Sequence, residues 1–169
     1  MKLTCSEASK LLKKLNSDYD MLIVKENQSS TFLAATGEDI ESVRPDYDYE
    51  AVQAQLAELR GKMIKLKHAI NVFNTTHKVP GFDLTVDEML YYMPRLSERE
   101  SSLSNMMSRL AKVRERSYGT GTNATIDYRY TNYDIEKAAA DHEAIYKELS
   151  RAQTSLDLLN NTESFEIDL

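Results

Sequence analysis

The sequence predicts a mainly α protein, a bundle of long antiparallel amphipathic helices with a minor two-stranded β element. Three observations point there. Apolar residues at Tyr49, Val52, Leu56, Leu59, Met63, Leu66, Ile70 and Phe73 recur at alternating spacings of 3 and 4. A helix that returns to one face about every 3.5 residues buries that seam against other helices, as in coiled coils. The same alternation governs three further stretches, described below. Finally, five glycines and three prolines in 169 residues leave too few breakers for a many-turned β fold.

The first helix is expected near residues 6–26, where Ala8, Leu12, Leu15, Tyr19 and Leu22 form a stripe that Leu11 widens. Residues 29–36, Ser-Ser-Thr-Phe-Leu-Ala-Ala-Thr closed by Gly37, read as a short strand. Pro45 disfavours helix in the residue before it, and Asp46 or Asp48 is placed to cap the second helix, near residues 48–74. From Tyr49 to Phe73 it is a rod roughly 38 Å long at about 1.5 Å per residue.

Pro80-Gly81 makes a turn, and Thr85-Val86-Asp87-Glu88 is a capping box that starts a third helix near residues 85–117. Its seam runs Val86, Met89, Met93, Leu96, Glu100, Leu103, Met107 and Leu110. Pro94 is expected to kink this helix without ending it, because the seam continues past it. The short connection makes the second and third helices antiparallel neighbours. That pairing brings Glu100 near Leu59 and Arg60, so Glu100 either sets the register through Arg60 or lies at an exposed seam edge.

Tyr118-Gly119-Thr120-Gly121-Thr122 breaks the pattern, and residues 124–130 alternate as a strand expected to pair with residues 29–36, within the chain or between chains. The last helix, near residues 133–160 and starting at Asn132 or Asp134, carries Ile135, Ala138, His142, Ile145, Leu149, Ala152, Leu156 and Leu159. The acidic tail beyond Asn160 is expected to be loosely held. All of this fits one helical domain, residues 1–169.

Composition narrows the function classes. A formal charge of −6 makes the surface a poor lure for nucleic acid or anionic membrane. No apolar run approaches the roughly 20 residues that span a bilayer. The single cysteine, Cys5, forms no internal disulfide and suits a reducing cytoplasm. His142 lies on a seam, but Ala139 stands where a Glu-x-x-His metal motif needs its carboxylate, so a packed histidine is the favoured reading. The Gly119-Thr-Gly-Thr run lacks the Lys-Ser/Thr of a phosphate loop. Basic residues around Arg60 and Arg109 are interspersed with acids and read as solvated faces. The Tyr128-Arg129-Tyr130 stretch could stack bases, although tyrosines covering helices explain it as well. No catalytic residue, metal ligand or cofactor site is expected.

Ile70-Asn71-Val72-Phe73-Asn74-Thr75-Thr76 at the end of the second helix resembles the Ile-Asn-x-x-Asn-x-x-Thr stretch of the septicolysin-like family. The order of a Lys-Leu-led first helix, an extended segment, the Asn-bearing helix end and Leu84-Thr85 also fits, and so do the long helix, strand and closing helix that follow. Pro94 and the glycine-threonine linker depart from that family. The resemblance implies a helical, oligomeric bacterial protein with no established catalytic residues. It singles out Asn71, Asn74 and Thr76, either for interaction or, as favoured, for capping the helix end and loop. The expected function is therefore a non-enzymatic scaffold or protein-interaction module acting as a homo-oligomer through its helical seams. A membrane-active, cytolysin-like protein is the alternative, and a nucleic-acid binder follows behind it.

Overall fold

Thr4 and Glu7 set the start of the first helix. The Thr4 hydroxyl accepts from the Glu7 N–H, and the Glu7 carboxylate accepts in return from the Thr4 N–H at 2.9 Å. The structure, a computed structural model, describes residues 1–115 and 126–169. Their elements run β1 (Lys2–Thr4), α1 (Cys5–Ser29), α2 (Ile40–Val43), α3 (Tyr49–Thr76), α4 (Val86–Met107), β2 (Lys112–Arg114), β3 (Tyr128–Tyr130), α5 (Ile135–Thr162) and β4 (Ser164–Glu166). The protein is mainly α, and its described residues hold two small antiparallel sheets, β1–β4 and β2–β3.

The chain forms two compact units, Met1–His77 with Leu158–Leu169, and Lys78–Asp157. In the first, α1 packs against α3. The α3 seam buries Val52, Leu56, Leu66, Ile70 and Phe73, while α1 contributes Cys5, Ala8 and Leu15. Full burial of a Leu or Phe side chain contributes about 1.5–3 kcal/mol, so this seam dominates the unit. Glu26 holds the far end of the pair, accepting from Tyr47 Oη at 3.1 Å and Gln53 Nε2 at 2.5 Å. Asp48 caps α3 by accepting from the Ala51 N–H, one of the two candidates named by the sequence.

In the second unit α4 starts at the Thr85–Glu88 capping box and continues through Pro94. Asp134 starts α5 by accepting from the N–H groups of Glu136 and Lys137. Tyr92 donates to Glu148 at 2.7 Å and His142 to Glu100 at 2.7 Å, partners that fix α4 and α5 as antiparallel.

Four expectations are corrected. The helix read as residues 85–117 ends at Met107, with Ser108 as its cap. Residues 112–114 leave it to become β2. Residues 29–36 form no strand, because no Gly or Pro interrupts residues 22–29 and α1 runs on through Ser29. The strand at Tyr128–Tyr130 pairs with β2, register Val113 to Arg129, and not with residues 29–36. A partner nearby in sequence costs less loop-closure entropy. Finally, the acidic tail is held: β4 pairs with β1, the Met1 ammonium donates to the Ile167 carbonyl at 2.6 Å, and Phe165 packs 5.7 Å from Phe73. The Gly119–Gly121 break, and residues 124 and 125 of the expected strand, lie outside the described residues.

Candidate protein-interaction groove

Pro94 has no N–H to donate to the carbonyl one turn back, at Leu90, and its ring sits on the side of α4 that faces α5. Leu90, Met93 and Pro94 from α4, with Tyr146, Leu149 and Leu156 from α5, line a groove of about 730 Å³. Ser97, Ser150, Gln153 and Thr154 supply its polar rim. None of the lining residues is charged, in a chain where 28% of residues are. Leu90 is 51% and Tyr146 60% exposed, so the groove opens to solvent.

Paired polar groups elsewhere on these two helices fix their relative position. The Glu148 carboxylate, accepting from the Tyr92 hydroxyl, and then burial push the Tyr92 pKa above its ordinary value. His142, whose ring stacks on Tyr146 at 6.4 Å, donates to Glu100, and both side chains are mostly buried (19% and 26% exposed). The sequence offers Glu100 either a pairing with Arg60 or an exposed seam edge. Its partner, however, is His142 of α5; Arg60 lies in the other unit. In the same unit the Arg151 guanidinium lies over the Phe82 ring at 4.8 Å.

Asn71, Asn74 and Thr76 fall in the first unit, at the C-terminal turn of α3. The Thr76 hydroxyl donates to the Val72 carbonyl at 2.7 Å, and Thr75 donates to the Asn71 carbonyl at 3.0 Å. The His77 ring stacks on Phe73 at 4.0 Å, and its Nδ1 lies 3.0 Å from the Phe73 carbonyl, a contact that needs the proton on Nδ1. Both hydroxyls back-bond carbonyls one turn earlier inside the helix, and the cap itself is His77, whose backbone N–H donates to the Phe73 carbonyl at 3.0 Å. Asn74 has a different task, accepting from the buried Cys5 thiol at 3.8 Å. Burial pushes the Cys5 pKa up, which disfavours the thiolate. Asn71 is exposed and lies with Leu12, Met63 and Ile64 along a second, shallower groove between α1 and α3.

Sequence reasoning missed the α4–α5 groove. A signal for it was present: Tyr146, Leu149, Ser150, Gln153 and Thr154 recur at i, i+3, i+4, i+7 and i+8, an uncharged stripe beside the seam. Among the described residues no three His, Cys, Asp or Glu side chains gather as metal ligands would. Nor is any helix long and apolar enough to cross a membrane.

Two helix pairs tied by small terminal and hairpin sheets define the class: a helical protein with a minor β component. A solved structure shares that fold, the crystal structure of a functionally unknown conserved protein from Corynebacterium diphtheriae. It is similar with a TM-score of 0.62 and 15% identity, over 98% of this chain and 100% of that one. No family model matches this chain, and no curated protein does.

Proposed function

We propose that this protein is a non-enzymatic, cytoplasmic helical scaffold that works as a homo-oligomer, its α4–α5 groove taking the same groove of a second copy. The observation that carries this reading is the absence of charge from the groove lining. Interface cores are depleted of charged residues and enriched in aromatics and Met, and Tyr146 and Met93 supply these here. A two-fold contact suits the lining, because the large Leu90 and Tyr146 on one copy can face the small Ser97 and Ser150 on the other. The septicolysin-like resemblance belongs to the same proposal, supported by the order of helices and strands and by the capped Asn71–Thr76 helix end.

Light scattering over a wide concentration range tests it. A stable multiple of 19.3 kDa that Tyr146→Asp or Leu90→Asp converts to a single copy is the expected result. Both residues are exposed, so neither change should unfold the chain. A 19.3 kDa species at every concentration overturns the reading. Leakage of anionic liposomes by the intact protein would move it to the membrane-active alternative.

A further inference from the structure

The connection between α1 and α3 holds residues 31–35, an apolar segment that reads as a strand in sequence and joins no sheet. Residues 31–35 belong to no helix or strand and are exposed, and Leu33 is 95% exposed. Among the described residues the N–H groups of residues 31–34 have no partner, whereas Ala35 donates to the Glu38 carboxylate in a turn where Gly37 takes φ +89°. Such exposed apolar strand segments are templates for pairing with another chain. Glu38 and Asp39 follow it, and Arg44 rests over Phe32 at 5.4 Å.

The second unit offers the matching edge. In the β2–β3 ladder Glu115 donates to the Asp127 carbonyl and Thr131 to the Ala111 carbonyl. Antiparallel alternation then turns the backbone groups of Lys112 and Arg114 away from β3. All three β2 residues are exposed. Lys112, Arg114, Tyr128 and Tyr130 share one face of this sheet, with the Lys112 ammonium 4.0 Å over the Tyr128 ring, and that face carries no carboxylate. Two strands alone are marginal, and a third makes the sheet self-supporting.

We infer that residues 31–35 of one copy add as an edge strand to β2 of a second copy, setting Glu38 and Asp39 against Lys112 and Arg114. This β-augmentation rests on the homo-oligomer reading and supplies a contact separate from the α4–α5 groove.

Single-cysteine proteins in a Cys5→Ser background test it. Leu33→Cys is mixed with Val113→Cys or with Arg114→Cys, two positions that cover either strand register, and the mixture is oxidised. The expected result is a mixed disulfide roughly tenfold above that formed by the exposed control Lys13→Cys, as proximity raises effective concentration. Leu33→Pro, which removes a donor from a fully exposed residue, weakens association roughly tenfold. Reversing Glu38 and Asp39 to Lys weakens it too, and reversing Lys112 and Arg114 to Glu in the same chain restores it.

An oligomer that survives Leu33→Pro and gives no mixed disulfide above the control overturns the arm while leaving the homo-oligomer reading intact. A single copy at all concentrations overturns both. A disulfide that forms only when both cysteines are on one chain assigns the arm to its own molecule and overturns exchange. Salt-sensitive binding of single-stranded oligonucleotide that Lys112→Glu abolishes gives the Lys112–Tyr128 face to nucleic acid and likewise overturns it.

Discussion

Glu100 and His142 form a polar pair among apolar neighbours, joining α4 to α5. The seam around them is Leu96, Leu103 and Ala138, all buried, and a carboxylate placed there stays only because the imidazole meets it at 2.7 Å. Glu100→Leu leaves the His142 ring unpaired and is expected to cost about 1–3 kcal/mol in urea unfolding. The double change Glu100→Leu with His142→Leu is expected to recover most of that loss, since two apolar groups can replace a buried pair at little cost. Recovery of none would show that the pair stabilises in its own right. Tyr92 adds a pH dependence. Its hydroxyl stays protonated against Glu148, with a pKa above the ordinary 10.0, so its contribution is complete below pH 10.0 and is lost as pH rises through the raised value. Tyr92→Phe should flatten the alkaline limb of a stability–pH curve.

At the scale of elements, helix ends decide where each rod begins. Glu7 and Glu88 hydrogen-bond the backbone of Thr4 and Thr85, and those bonds hold both carboxyls below their ordinary range. The stability they add is present above the ordinary value of 4.5 and disappears as pH falls through the lowered one. Thr85→Ala is expected to cost about 1 kcal/mol and to shift the acid midpoint of the second unit upward, read by circular dichroism. Pro94→Ala tests the helix interior, where proline forfeits a hydrogen bond. A gain of roughly 1–3 kcal/mol is expected if only the helix matters. A loss would show that Pro94 shapes the groove wall it lines.

The whole molecule couples local signals to distant partners. Seam periodicity showed that α3 and α4 bury a stripe, but a stripe does not say which helix covers it. Within the first unit α3 takes α1, and within the second α4 takes α5, through Tyr92–Glu148 and Glu100–His142. The termini follow the same rule. Lys2–Thr4 and Ser164–Glu166 are each three residues long, too short to announce a strand, and each exists because the other is there. Deleting residues 164–169 removes the cover that Phe165 gives Phe73 and should lower the melting temperature of the first unit, measured by calorimetry.

By itself the sequence determined the helical class, the start of α4 at Thr85 and its continuation through Pro94, and it narrowed the starts of α3 and α5 to two candidates each, of which Asp48 and Asp134 are the ones used. These are local properties: a cap needs residues three apart, and a seam needs a period. Only the tertiary structure decided that Glu100 meets His142, that residues 31–35 join no sheet while Lys112–Arg114 become a strand, and that an uncharged groove lies beside Pro94. Those outcomes depend on which surfaces meet after the chain has folded back, and many pairings of similar heptads have nearly the same burial energy until particular polar partners tell them apart.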